Sequence, residues 1–264
     1  MLTYLYNICF YKAMRIASYN LFEGAQNTYP LLQKFVKQEA LDVICLQEAN
    51  GWQNGSPSRL ENFAAATGLT HFVYGNSNTP FKLATFSALP ILDSHVCTEG
   101  LWHGATQTTI ARGDLEVELW NFHADPQSED ARLAEVRLVA PMIGRRGLLV
   151  GDINSLSCND RYPDTLPAEL ALMGITKFGV NSLHHDVTDY LTKAGLIDIA
   201  AARNSRDATV PTPANKDQQH AADLRLDYMF ATRAIAARVS DIQVVKNELT
   251  NRISDHYPLV VTLG

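Results

Sequence analysis

Cysteine is scarce and scattered in this 264-residue chain: Cys9, Cys45, Cys97 and Cys158, with no C-x-x-C pair and no dense framework. That distribution argues against zinc ribbons and disulfide scaffolds, and it fits a reducing, cytoplasmic setting. Cys45 stands inside an apolar run and reads as a small core residue. No run of apolar residues approaches the length of a membrane-spanning helix, and no tandem repeat interrupts the chain. A basic excess is missing too. Twenty-two Lys and Arg face 28 Asp and Glu, a net charge of −6. Such a balance argues against a surface that grips nucleic acid through phosphate contacts alone. It leaves room for an acidic site in which metal ions carry the positive charge.

What is present is a large apolar fraction, 46% hydrophobic against 19% charged, enough for a substantial core. Residues 1–13 (MLTYLYNICFYKA) are too short to span a membrane and lack the basic start and cleavage site of a signal peptide. The sequence restarts at Met14-Arg15-Ile16-Ala17-Ser18-Tyr19-Asn20. We therefore read 1–13 as an N-terminal extension, appended or flexible, with Met14 as the start of a single domain over 14–264.

Within that domain, strand and helix patterns alternate. Arg15–Tyr19 reads as a strand, the stretch from Tyr29 as an amphipathic helix, and Leu41–Leu46 as a second strand ending in Gln47-Glu48. Leu60–Thr67 reads as a helix closed by Gly68. Short strands follow at 71–74, 83–87, 91–96, 106–111 and 115–122, the last ending in Asn121-Phe122-His123. Asp130–Ile143 has helical spacing and leads into the apolar run Leu148–Val150, which ends in Gly151-Asp152-Ile153-Asn154. A polar stretch, 155–182, reads as loop. His184–Leu196 reads as helix, 203–223 as a second polar loop, and 224–230, 239–245 and 259–263 as strands. Ser254-Asp255-His256-Tyr257-Pro258 precedes the last of these.

The ends of separate apolar runs thus carry Asn20, Glu48, His123, Asp152 with Asn154, Asp227, and Asp255 with His256. Any one of these is unremarkable: an isolated Glu at a strand end is more often a solvated acid, and an Asp after Gly is often a turn former. In α/β proteins ligands bind beyond the strand ends, so six such ends supplying carboxylates, imidazoles and amides form a constellation. His184, His185 and His220 fall outside it and read as surface histidines.

Six segments, in order, resemble the motifs of the endonuclease/exonuclease/phosphatase superfamily: Ser18-Tyr19-Asn20, Leu46-Gln47-Glu48, Asn121-Phe122-His123, Gly151-Asp152-Ile153-Asn154, Arg225-Leu226-Asp227-Tyr228, and Ser254-Asp255-His256-Tyr257-Pro258. The resemblance implies an α/β, DNase I-like four-layer sandwich, two packed mixed β-sheets flanked by helices. It also implies phosphoester hydrolysis assisted by Mg²⁺, with Mn²⁺ as an alternative. Carried over, Glu48 is the principal metal ligand, with Asn20 beside it and Asp255 near the ion. Asp152 activates the attacking water with help from Asn154. His256, held by Asp227, and His123 face the phosphoryl group, and Asn121 and Arg225 are expected to bind substrate. The Arg of the Ser-Arg-x-Pro segment common in the family is absent, the matching run being Ser87-Ala88-Leu89-Pro90. The Asn-x-His at 121–123 disfavours the abasic-site endonuclease branch.

The substrate stays open at this stage. The first reading is a Mg²⁺-dependent phosphodiester hydrolase, a monomer acting on a nucleic acid or nucleotide. The second is a phosphatase or phosphodiesterase acting on small or lipid-derived phosphoesters, and the third a catalytically silent phosphate-binding module. The two polar loops are expected to shape the cleft, with Arg203, Arg206 and Lys216 giving the second a mild positive bias.

Overall fold

The computed structural model describes residues 12–264, so residues 1–11 of the expected extension lie outside the described residues. Twelve strands form two six-stranded mixed sheets. The first sheet takes β1 (Met14–Asn20), β2 (Val43–Gln47), β3 (His71–Gly75), β4 (Leu83–Ser87), β11 (Val239–Val244) and β12 (Leu259–Leu263), in the order β11-β12-β1-β2-β4-β3. The second takes β5 (Ile91–Cys97), β6 (Gly104–Arg112), β7 (Leu115–His123), β8 (Gly147–Asp152), β9 (Ile197–Asp198) and β10 (Asp227–Ala231), in the order β5-β6-β7-β8-β10-β9. Each sheet has one parallel pair at its centre, β1 with β2 and β7 with β8.

The central strands β1, β2, β8 and β10 are buried on both faces because the sheets pack on each other and on helices. Along β1, Met14 and Ile16 enter the core between the sheets, while Ala17 and Tyr19 meet α1 (Tyr29–Gln38) and α2 (Arg59–Thr67) on the outside. Along β7 and β8, Val117, Leu119, Leu148 and Val150 face inward. Trp120, Phe122 and Leu149 face outward, onto α3 (Glu129–Val139) and α5 (Asp186–Lys193). This is the four-layer helix–sheet–sheet–helix sandwich, and its strict alternation decides which side chains reach the site.

Local chemistry accounts for most element ends. Ser58 Oγ accepts from Glu61 N (3.2 Å) and the Glu61 carboxylate accepts from Ser58 N (2.6 Å), a reciprocal cap on α2. Gly68 closes the same helix in the left-handed conformation. We expect Ser58→Ala to cost about 1 kcal/mol, read as a lower midpoint at unchanged m-value in urea.

Several elements differ from the sequence reading. The helix expected to run to Ile143 leaves α geometry after Val139 and finishes as a 3₁₀ turn over Ala140–Met142, because Pro141 cannot donate to the helical ladder. The stretch 155–182 holds a further helix, α4 (Leu166–Leu172), with Pro167 in its first turn, where a missing N–H costs nothing. The strand expected from Leu224 begins only at Asp227, since Leu224 bridges Val210 instead.

Candidate active site

The two parallel pairs run so that their C-terminal ends open at the same edge of the sandwich. Asn20 is in register with Gln47 across β1 and β2, and His123 with Asp152 across β7 and β8. Antiparallel β10 begins at this edge, with Asp227 opposite Asp152. The turn before β12 adds Asp255 and His256. Around these ends lies a cleft of about 410 Å³ whose lining includes Asn20, Glu48, His123, Asp152, Asn154, Asp255 and His256.

Face alternation explains the membership. Asn20, His123, Asp152 and Asp227 continue the inward-facing rows Ile16, Leu119, Val150 and Met229, and project from the core's end. Glu48 falls one residue past Gln47, on the wrong face for an extended chain. A left-handed turn at Glu48 (φ +59°) re-aims it. Its carboxylate then accepts from Asn20 Nδ2 (3.3 Å) and Glu23 N (2.8 Å). Asn154 is also left-handed (φ +54°), and its N–H donates to Asp152 Oδ1 (2.9 Å).

Two predicted substrate-binding residues are not in the cleft. Asn121 shares the inward row with His123 but sits two residues deeper. It is fully buried and donates to the carbonyls of Leu46 (3.1 Å) and Ala84 (3.2 Å) while accepting from Gln47 Nε2 (2.7 Å). Asn121 therefore ties one sheet to the other beneath the cleft floor. Arg225 is buried as well, bidentate to Asp198 (3.0 and 2.7 Å), bonded to Asp160 (3.0 Å) and stacked over Tyr228. Its charge is consumed in joining the loop after β8 to β9 and β10.

Asp152 is the centre of the polar set. Its Oδ2 accepts from Asn20 Nδ2 (3.0 Å) and stands 3.6 Å from His123 Nε2 and 3.7 Å from His256 Nε2. Asp227 Oδ2 lies 2.8 Å from His256 Nδ1. Burial opposes a charge on His256, but the Asp227 carboxylate outweighs it, with Asp152 and Asp255 adding, and pushes the imidazole up to about 10. His256 is thus a cation at neutral pH. His123, whose burial is reinforced by repulsion from His256 and Lys177, is pushed down to about 3 and is neutral. Burial lifts Glu48 to about 7.

Several cleft residues escape the sequence reading. Lys177, from the loop after α4, is the one Lys or Arg lining the cleft among the described residues, with Nζ 3.5 Å from Asn154 Oδ1. His220, read as a surface histidine, is 5% exposed, lines the cleft, and brings Nδ1 within 3.2 Å of Asp255 Oδ2. His103 stacks on His123 with ring centroids 4.0 Å apart. Arg203 and Arg206 instead bond to backbone carbonyls, of Val239 and Ser240 and of Asn159 respectively. Lys216 faces a neighbouring depression.

Over residues 17–256 the sequence matches the endonuclease/exonuclease/phosphatase family. The chain belongs to that family. Solved structures of the same fold include an AP endonuclease from Archaeoglobus fulgidus, with TM-score 0.71, 19% identity, and 95% of this chain and 99% of that one covered. The 3′ phosphatase NExo from Neisseria, bound to a product DNA hairpin, gives 0.70 at 20% identity, covering 96% and 100%. An endonuclease/exonuclease/phosphatase from Beutenbergia cavernae gives 0.68 at 18%, covering 96% and 71%. At these identities the likeness is one of fold. No curated protein matches. No helix among the described residues of this family member is long and apolar enough to cross a membrane.

Proposed function

We propose that this chain hydrolyses a phosphoester by in-line attack of a water that Asp152 orients and deprotonates. The observation that carries the reading is the Asp152 carboxylate set between two imidazoles, 3.6 and 3.7 Å away, one neutral and one cationic. As water attacks phosphorus, its proton passes to Asp152 and the bond to the leaving oxygen breaks. The His256 cation, oriented by Asp227, faces the phosphoryl oxygens and offsets their growing charge. His123 and Lys177 add donors on the same side, and Asn154 holds Asp152 in position through its backbone N–H.

The donor set fits a divalent cation. Glu48, Asp152 and Asp255 line the cleft along with Glu23 and Asp217, against Lys177 and cationic His256. Glu48 has no Lys or Arg partner among the described residues and accepts only from neutral donors. Such hard oxygen donors suit Mg²⁺ or Mn²⁺, held by Glu48 with Asn20 and Asp255 nearby. A bound cation would offset charge on the phosphoryl oxygens. His220, Asp255 and His256 also place ligand atoms within 4.8 Å of one another. His256, however, keeps its proton through Asp227 and is a poor ligand in that state.

A nucleotide or nucleic-acid end is the favoured substrate, in keeping with the nuclease and phosphatase names of the structural neighbours. The acidic cleft with its single lysine favours few phosphate contacts, and so keeps a small phosphoester as the second reading. Both predict hydrolysis of bis(4-nitrophenyl) phosphate with Mg²⁺ and none in EDTA; metal-independent turnover, or none, would overturn the assignment.

A stability test follows from Glu48. Burial lifts it to about 7, above the ordinary glutamate value of 4.5, so folding disfavours its ionised form. Its contribution is fully present below about pH 4.5 and is lost as pH rises through about 7. A cation that accepts the carboxylate removes this penalty. We expect Mg²⁺ to raise Tm more at pH 8 than at pH 5.5, by about 4–8 °C. That corresponds to about 2 kcal/mol once hydration of the cleft-facing carboxylate edge is allowed for. Equal increments at both pH values, or a pH-dependent increment that persists in Glu48→Gln, would remove Glu48 from the cation site.

A further inference from the structure

One wall of the cleft is not used by the chemistry above. It is built from two connections, residues 76–82 between β3 and β4 in one sheet and 98–103 between β5 and β6 in the other. Asn78 locks them together: its Nδ2 donates to the carbonyls of Thr98 and Leu101 (both 2.7 Å), and its N–H to His103 O (3.1 Å). On this frame stand Phe81, Trp102 and His103. Phe81 meets His103 edge to face at 5.3 Å, and His103 stacks on His123, so a row of rings runs outward from Asp152. Trp102 is 47% exposed at the cleft, whereas Trp52 and Trp120 are buried.

His103 carries a second signal. Thr79 Oγ1 accepts from Phe81 N (3.2 Å), lies 3.1 Å from Ser77 Oγ, and holds His103 Nδ1 at 2.7 Å. Burial and the neighbouring His123 keep His103 neutral. Nδ1 is thus engaged, and Nε2 is the ring's remaining polar atom, a donor or an acceptor according to tautomer. That Nε2 is buried and has no partner among the described residues, in a ring that lines the cleft. A buried polar nitrogen without a partner costs about 1–3 kcal/mol unless something fills it.

Resting on the phosphoester reading, we propose that this wall is a subsite for a nucleobase attached to the phosphoryl group, stacked on Trp102 and Phe81 and hydrogen-bonded to His103 Nε2. Flat rings beside an unpartnered ring nitrogen match a heteroaromatic ring edged with donors and acceptors; an acyl chain would leave that nitrogen unfilled. A cleft of about 410 Å³ is of nucleotide size. With Lys177 its one lysine, affinity beyond the phosphoryl contacts must come from the rest of the substrate, and a base is the part these rings fit.

The test compares binding of thymidine 5′-phosphate with that of methyl riboside 5-phosphate, which lacks the base, by tryptophan fluorescence and competition. Wild type should bind the base-bearing phosphate about 5–100-fold more tightly, the range expected for one stacked base, with quenching of Trp102. Trp102→Ala should bring the ratio near one, and Trp102→Phe, which keeps a ring, should restore most of it. Equal affinities in wild type, or a preference that survives in Trp102→Ala, would overturn the subsite and leave phosphoester hydrolysis standing. Failure of both phosphates to bind would overturn the subsite as well, while turnover of bis(4-nitrophenyl) phosphate decides the hydrolytic reading separately.

Discussion

Asp152→Asn is expected to lower kcat by about 10²–10⁴-fold, the contribution of a positioned general base, and to leave the protein folded. The amide is nearly the same shape, and its carbonyl still accepts from Asn154 N, the partner of Asp152 Oδ1 at 2.9 Å. Its NH₂ then faces Asn20 Nδ2, so the 3.0 Å bond from that donor is lost, at a net cost of about 1 kcal/mol. Besides that bond, what disappears is a lone pair basic enough to take a proton from water. His256 stays protonated, because Asp227 lies 2.8 Å from its Nδ1. The loss therefore falls on kcat rather than KM, and steady-state kinetics on bis(4-nitrophenyl) phosphate beside a thermal melt separates the two. A variant with a native melt and more than about a tenth of wild-type kcat would move the base to another residue.

Gly151→Ala, one residue away, fails for a different reason. Gly151 has φ +143°, where L residues are strained, and a Cβ there would lie 1.8 Å from Phe122 O and 2.9 Å from Phe122 C. Phe122 is its partner across the parallel pair β7 and β8. Neither strand can withdraw: β7 is held by β6 on its other side and β8 by β10, and Phe122 and Leu149 are locked into the outer core. The expected cost is about 4 kcal/mol or more, a large share of a typical domain's total stability. The variant should be insoluble or should melt about 8–16 °C lower, and the His123–Asp152 register should go with it. Gly68→Ala is the comparison. Gly68 is left-handed too, but nothing lies within 4 Å of its Cβ position, so only the backbone cost of about 1 kcal/mol applies. Similar melts for the two variants would refute the steric argument.

The sequence by itself determined the alternation of apolar runs and the polar residues at their ends, because both are local. Period-two burial on two faces leaves near-continuous apolar strands, and a chain leaving a strand end must turn through Gly, Asn or Asp. Asn20, Glu48, His123, Asp152, Asn154, Asp255 and His256, named from those ends, all line one cleft, with Asp227 beneath His256.

Only the tertiary structure decided depth, partnership and the walls. Asn121 and His123 share a face and differ by two residues. One is a strut between sheets and the other lines the cleft, because depth along a strand depends on where the opposing sheet ends. Arg225 sits two residues from Asp227 yet is spent on Asp160 and Asp198, which come from chain 65 and 27 residues away. Glu48 reaches the site through a left-handed turn that no periodicity announces. His103, Lys177 and His220 arrive from loops whose local sequence carries no pattern, so their place in the cleft is set by long-range packing alone.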